Sequence, residues 1–579
     1  MTMHPQHQSL LYALALALAL ASALFLLLLG GLLVFNQFQG KVATLVNSRE
    51  VVRLHDELRH RPKDEALKQR IRQLDLELRQ RTFQDLQLSH AASRALIFGL
   101  VALLVGAHHA RTFRRRLADP LAWGARPPDE ERRIARQARY GVTGVFAFLA
   151  LAAVAVALRP VRLPGPAVPV PAETPPTSEE IRQNWATFRG PNGQGVAPSA
   201  ALPLPGNIRW KIVVPLHGMS SPVRWGNGLF LTGASATENR VFRIDAETGA
   251  LVWSVAVHLP GGVRAPNPKV GDETGLAAST PATDGRRVYA IFANGELAAI
   301  DFDGKPVWVR NVGPLENAYG YASSLALDQD RLMIQIDRGS AADGQSKLIA
   351  LDSRTGQDRW EVSRDVAGSW ASPIVAEINQ RPQLITCATP AVIAYNPADG
   401  RELWRVNCLE NDCAPSPIFA GGLVVAVAPN SAIFALRPGS KVGQALRPGA
   451  QGRVASSLPE KIWQSTEGVP EATSPVSDGQ RLYTIDSAGV LTCFNLQTGR
   501  VLWTHEFDDR FYASPTILGH ALVLVSRKGV AYGFETSDQL HALGQAALGE
   551  ECNASPVPYG RRLYVRGAKH LFCLEAGGK

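Results

Sequence analysis

The sequence predicts an all-β eight-bladed β-propeller preceded by an α-helical membrane region with three transmembrane helices. Three observations carry that prediction. A phrase close to D-x-x-T-G-x-x-x-W recurs, as in "IDAETGALVWS", "LDSRTGQDRWE", "YNPADGRELWR" and "FNLQTGRVLWT". A cluster of small residues ending in Ser-Pro or a near variant keeps step with it, at an average spacing of about 46 residues, which suits a four-stranded blade. Three apolar runs all precede residue 160.

The first third of the chain is expected to be membrane-associated. After a short cytoplasmic N-terminus (1–9), residues 10–35 ("LLYALALALALASALFLLLLGGLLVF") are long enough to cross a bilayer. Residues 140–158 also suffice, and residues 91–107 do so at the margin, with Arg94 placed to snorkel to the interface. The alternative for the first run is a cleaved signal peptide with "ASA" at 21–23 as its site. Against that, the run continues past the site and no Lys or Arg precedes it. Residues 36–90 place Leu67, Ile71, Leu74 and Leu78 at helical spacing, with Pro62 dividing the segment in two. They read as an extracytoplasmic helical hairpin that either mediates self-association or packs on itself. The loop 108–139 holds nine Arg against four acids and should stay cytoplasmic. The expected location is therefore a bacterial inner membrane, crossed several times, with the propeller in the periplasm. A Pro-rich linker (159–183, "RPVRLPGPAVPVPAETPP" at its start) reads as an extended spacer.

The formal charge of +9 is concentrated in that first third. The 108–139 loop contributes +5 and the 36–90 segment +3, which leaves +1 for everything else. A near-neutral C-terminal region excludes nucleic-acid binding through a broad basic face.

From residue 184 to 579 the text is short alternating runs punctuated by Gly, Asp, Asn and Pro, which is β patterning. Each unit reads as a small-residue inner strand, a hydrophobic second strand such as "RRVYAIFA", a third such as "LIALDS", a turn, and an outer strand bearing Trp. Trp210, Trp253, Trp308, Trp360, Trp404, Trp463 and Trp503 are expected to dock between blades, while the turn Gly permits positive φ. The small-residue clusters begin at Ser220, Ala278, Tyr321, Trp370, Ala414, Ala472, Tyr512 and Asn553. The last unit stops before an outer strand, and "IRWKIVVP" (208–215) is an orphan strand of the outer type. We expect it to close the ring on the C-terminal blade. Unit seven is degenerate, because "GFETSDQLHALGQA" lacks the turn Gly and the Trp.

The recurring phrase resembles the Trp-docking repeat of the quinoprotein-like (PQQ-like) β-propellers. "NWATFRGPNGQGV" (184–196) is similar to the opening of many membrane-attached bacterial members. The resemblance covers about two thirds of the chain and is specific for fold rather than function. It implies one of two activities. The scaffold branch, typified by a lipoprotein of the outer-membrane barrel-assembly machinery, implies a non-catalytic platform with no cofactor and a cell-envelope protein or glycan as partner. The other branch implies a membrane-bound dehydrogenase that uses pyrroloquinoline quinone (PQQ) with Ca²⁺ to oxidise alcohols or sugars. Those enzymes hold Ca²⁺ with oxygen ligands and often carry two adjacent cysteines. The chain has no adjacent Cys pair, and 46 residues per unit leave little for site-building loops. The scaffold reading is the one taken forward.

Residues just before the Ser-Pro clusters should converge on the channel mouth. The candidate rim is Arg264, Tyr321, Trp370, Glu471, Asp508, Arg510, Tyr512 and Asn553, in which aromatics and charges alternate as they do at binding hot spots. The alternative is that the aromatics plug the funnel and stabilise the ring. No catalytic, cofactor-binding or metal residues are assigned. Cys493 and Cys573 read as small core residues, and Cys387 and Cys552 have no evident partner. Cys408 and Cys413 are close enough in "NCLENDCAP" to form a short disulfide loop.

Overall fold

The computed structural model describes residues 15–26, 99, 102–110 and 176–576, except for 199, 205, 316 and 440–458. It divides into two units, Met1–Pro171 and Ala172–Lys579. In the first unit, residues 15–26 and 102–110 are helical. Among the described residues no helix is long and apolar enough to cross a membrane. The expected spans lie largely outside the described residues, as do the 36–90 hairpin, the 108–139 loop and most of the linker.

The second unit is the propeller. Its eight sheets comprise seven of four strands and one of five. Blade 1 runs from inner to outer edge through Val223–Trp225, Gly228–Ala234, Asn239–Asp245 and Leu251–Ala256, each antiparallel to its neighbour. The second and third strands are buried on both faces, because neighbouring blades cover them. The outer strand is half exposed. The orphan strand Gly206–Val213 pairs antiparallel with His570–Ala576, so the N-terminal strand completes the C-terminal blade as expected.

Why the small-residue clusters recur is plain at the inner edge. The backbone N–H of Ser221 donates to the Thr280 hydroxyl (3.0 Å), Thr280 to Ser324 (3.1 Å), Ser324 to Ser372 (2.9 Å) and Ser372 to Ser416 (2.9 Å). The chain continues from Ser416 to Ser474, Ser474 to Ser514 and Ser514 to Ser555, each at 3.0 Å. It closes from Ser555 back to Ser221 at 2.9 Å. All eight residues are buried. A buried N–H left without an acceptor costs about 1–3 kcal/mol, so each inner strand depends on the next blade for its hydroxyl.

A second belt runs nearer the outside. Trp210, Trp253, Trp308 and Trp360 donate their indole N–H to Ala246, Phe302, Ser353 and Pro397, each a carbonyl in the outer turn of the following blade. Trp463 and Trp503 do the same to Leu496 and Ser537. Trp404 instead bonds Gln383 of its own blade. The turn itself is held by its first residue: the Asp245 carboxylate accepts from the backbone of Glu247 and Thr248. The turn glycine also does more than allow positive φ. At Gly356 (φ +69) an added Cβ would lie 2.6 Å from the Trp308 ring, so the indole of one blade lies flat on the glycine of the next.

Blade 7 has Gly544 at the Trp position, paired with Gly533. Leu202 and Leu204 take the missing indole's place, since a Cβ on Gly533 would meet the Leu202 side chain at 3.0 Å. Leu204 lies in one core cluster with Val523, Ala531 and Leu563 from blades 7 and 8, and Leu202 packs against that cluster. The end of the expected linker is helical at Ser178–Gln183, because Thr177 and Glu180 form a reciprocal capping box.

Substitution separates the two demands on the turn glycine. Gly226 (φ +58), in the turn between the first and second strands of blade 1, shares the backbone conformation but has nothing within 4 Å of an added Cβ. Gly226→Ala should therefore cost only the left-handed backbone, about 1–2 kcal/mol. Gly356→Ala adds the collision with Trp308 and should cost about 2–5 kcal/mol. Denaturant midpoints of the two variants measure the difference, and equal losses would remove the docking role.

Candidate functional site

Strand direction sets the two ends of the propeller apart. Inner strands start at the hydroxyl ring, so the loops that lead into them and the turns between second and third strands share one end. The turns between first and second strands, and the outer Trp-docking turns, share the other.

The second end is covered. Residues 184–197 cross it and touch the inner strands of six blades. Trp185 bridges Arg224, Ala186 accepts from the Thr283 N–H at 2.8 Å, and Gly193 packs on Ile374. The Gln194 side-chain oxygen accepts from Phe419 N–H at 2.8 Å, and Arg189 donates to the Pro475 carbonyl at 2.6 Å. Val196–Ala197 then pairs parallel with Thr516–Leu518, which makes the five-stranded sheet. The glycines of "FRGPNGQGV" allow this compact path. An added Cβ on Gly190 (φ +69) would lie 2.4 Å from the Trp185 ring. The phrase noted in the sequence is thus a plug.

At the first end the rim residues divide into two groups. Asp508 and Arg510 line a cleft of ≈ 640 Å³ with Ala488, Phe507, Asp509, Arg527, Lys528, Gly549, Glu550 and Glu551. Tyr512 lies under the Arg527 guanidinium at 4.9 Å, and Asn553 donates to Glu551 at 3.0 Å. Arg527 is held by Glu551 at 2.5 Å, and Lys528 donates to the Asp508 carbonyl at 2.7 Å. Hydrogen bonds from Arg527 and Asn553 hold the Glu551 carboxyl below its ordinary pKa. Burial pushes the Glu550 carboxyl upward, but bonds from the His570 ring and backbone outweigh it and leave the group ionised. Asp509 Oδ2 and Asn553 Oδ1 are buried with no hydrogen-bond partner. The cleft is therefore a fixed array of both signs around an aromatic floor, with two acceptors still unused.

The remaining rim residues do not join it. Arg264 is spent on the loops, donating to Ala236, Ser235, Asn239 and Asn267. Tyr321 is buried in a core cluster with its hydroxyl on the Gly313 carbonyl at 2.8 Å, which makes it a structural residue. Glu471 accepts from the backbone and hydroxyl of Ser487. Trp370 packs edge-on against Tyr319 at 4.9 Å. A second cleft, of ≈ 560 Å³, lies at the same end between Pro266–Lys269 and Pro314–Ala318. Reading only the residues before the Ser-Pro clusters missed Arg527, Lys528 and Glu551. Their signal was available: "SRKGV" is a second-to-third-strand turn, and such turns reach the same end.

All six cysteines are free thiols. The expected Cys408–Cys413 bridge is not formed, although both residues sit beside the same Thr389-Pro390 turn. Cys408 N–H bonds the Pro390 carbonyl, while the Cys413 carbonyl accepts from Trp370 and Ala371 and its sulfur faces Thr389 at 3.8 Å. Burial pushes both thiols up to about 11. Protein purified without reductant and then denatured should titrate as six thiols per chain, and four would restore the bridge. In the native chain the raised pKa values should make alkylation at pH 8 slow.

A family model described as outer membrane protein assembly factor BamB matches residues 199–384, 344–440 and 450–577, more than half of the chain. The outer membrane protein assembly factor BamB of Burkholderia pseudomallei (strain K96243) is 24% identical over 358 residues, 60% of this chain and 81% of that protein. The BamB of Moranella endobia (strain PCIT) is 23% identical over 237 residues, 40% of this chain and 54% of that one. The quinohemoprotein alcohol dehydrogenase from Comamonas testosteroni shares the fold at 14% identity and a TM-score of 0.52, over 70% of this chain and 83% of its own. These findings correct the expected location. The expected multi-pass inner-membrane location does not stand, since both of these BamB relatives are named for the outer membrane. For the Ca²⁺-quinone reading, no group of three or more His, Cys, Asp or Glu among the described residues is placed to hold a metal ion.

Proposed function

The chain belongs to the family described as outer membrane protein assembly factor BamB, and on that premise we propose that its propeller is a non-catalytic platform that docks a cell-envelope protein during outer-membrane protein assembly. The observation that carries this reading is the asymmetry of the two ends. One end is sealed by residues 184–197, while the other presents the cleft of Asp508, Asp509, Arg510, Arg527 and Lys528. A partner's peptide segment suits such a surface. Its basic side chains would meet the Asp508 and Asp509 carboxylates, and its own carboxylates would meet Arg510 and Lys528. Electrostatic complementarity of this kind sets partner choice and association rate more than raw affinity. The rigid ring behind the cleft keeps those groups in place before binding, which lowers the entropic cost of docking.

The dehydrogenase reading rests on shared fold with the Comamonas enzyme, and fold alone does not transfer chemistry. A glycan in the cleft is a second class of occupant. It fits less well, because Phe507 is the one aromatic in the lining and, Ala488 and Gly549 apart, the other residues are charged.

The test is crosslinking of the full chain in envelopes, comparing wild type with Arg510→Glu/Lys528→Glu. Neither side chain forms an ion pair given above, so the fold should be retained. Capture of one recurrent assembly protein should fall at least about tenfold, the size of a hot-spot loss. Unchanged capture would move the interface elsewhere. Dye reduction with an alcohol after loading with PQQ and Ca²⁺ would contradict the platform reading outright.

A further inference from the structure

Three arginines are essentially inaccessible: Arg189, Arg364 and Arg566. Arg364 is fully answered, by both oxygens of Asp337 at 2.6 and 2.7 Å, the Thr386 hydroxyl and the Tyr395 hydroxyl. Arg566 spends its N–H groups on the Ser220 carbonyl and hydroxyl and the Leu216 carbonyl. Arg189 is different. Its Nη2 donates to the Pro475 carbonyl at 2.6 Å, while Nε and Nη1 are buried with no partner. No carboxylate of the described residues pairs with it.

Its position adds a second observation. Pro475 follows Ser474, a member of the hydroxyl ring, so the guanidinium sits one residue from that ring on the plugged side. Every ring hydroxyl is used as an acceptor from the preceding blade's N–H. Among the described residues, none of the eight donates its own proton to a protein acceptor. Arg189 therefore brings two unanswered N–H positions and a positive charge to within one residue of these hydroxyls, with no carboxylate of its own. Water would satisfy the N–H groups but leave the charge uncompensated, which a buried site tolerates poorly. A single guanidinium calls for a single negative charge.

We propose that a small monovalent inorganic anion, of chloride's size, binds against Nε and Nη1 of Arg189 beneath the plug, with neighbouring ring hydroxyls as further donors. Burial lowers the Arg189 pKa to about 9, which is the expected response of a desolvated guanidinium lacking an acidic neighbour. The anion would restore its ordinary basicity and fasten the "FRGPNGQGV" segment across the channel. This site lies at the end opposite the docking cleft and stands or falls independently of the platform reading.

The experiment uses the full chain in two measurements. Crystals grown in bromide should show an anomalous peak within hydrogen-bond distance of Arg189 Nε. Thermal unfolding at constant ionic strength, with halide replacing gluconate, should rise by about 1–2 °C per tenfold increase in halide above saturation. Arg189→Met should abolish that rise. An absent peak, equal melting in both salts, or a rise that persists in Arg189→Met would each overturn the proposal. If the variant does not fold, the wild-type bromide map alone decides.

Discussion

Circular closure is the constraint from which the rest of this propeller follows. Each inner strand contributes one N–H and one hydroxyl, and neither is satisfied within its own blade. The eight bonds from Ser221 through Thr280, Ser324, Ser372, Ser416, Ser474 and Ser514 to Ser555 form an unbroken loop. No blade can leave without stranding a donor on one side and an acceptor on the other. The indole belt repeats the logic at larger radius, where Trp308 rests on Gly356 and Trp360 on Gly400. Sheets that expose both faces when alone are thereby buried by their neighbours.

Much of this was legible in the chain because repetition amplifies weak signals. The Trp positions, the Ser-Pro clusters and the orphan strand around Trp210 each have a counterpart seven or eight times over, so a strand missing at one terminus and surplus at the other is conspicuous. What occurs once was harder to read. The plug at 184–197 contains no periodic pattern, and its function depends on contacts with residues as distant as Pro475 and Ile517. The replacement of the seventh indole by Leu202 and Leu204 is likewise a packing substitution made across more than 300 residues. The seven-residue span of "NCLENDC" suggested a bridge, whereas both cysteines are free thiols, because spacing along the chain does not set where two side chains point.

The same limits governed the site. Four of the eight rim residues reach one neighbourhood, because Asp508, Arg510 and Tyr512 share one loop and Asn553 occupies the equivalent loop a blade later. The others fail for local reasons: Tyr321 turns into the core and Arg264 is consumed by four loop acceptors. Charge placement on the turn holding Arg527 and Lys528 completes the cleft.

The most direct test of that account is hydrogen exchange of the eight ring amides in the full chain under native conditions. If closure is what holds the wheel together, the amides of Ser221, Thr280, Ser324, Ser372, Ser416, Ser474, Ser514 and Ser555 should exchange as one set, at the slowest rate in the protein and only by global opening. Early release of the Ser555 and Ser221 amides, with the other six still protected, would show that the seam at the chain termini opens by itself and would contradict the central claim.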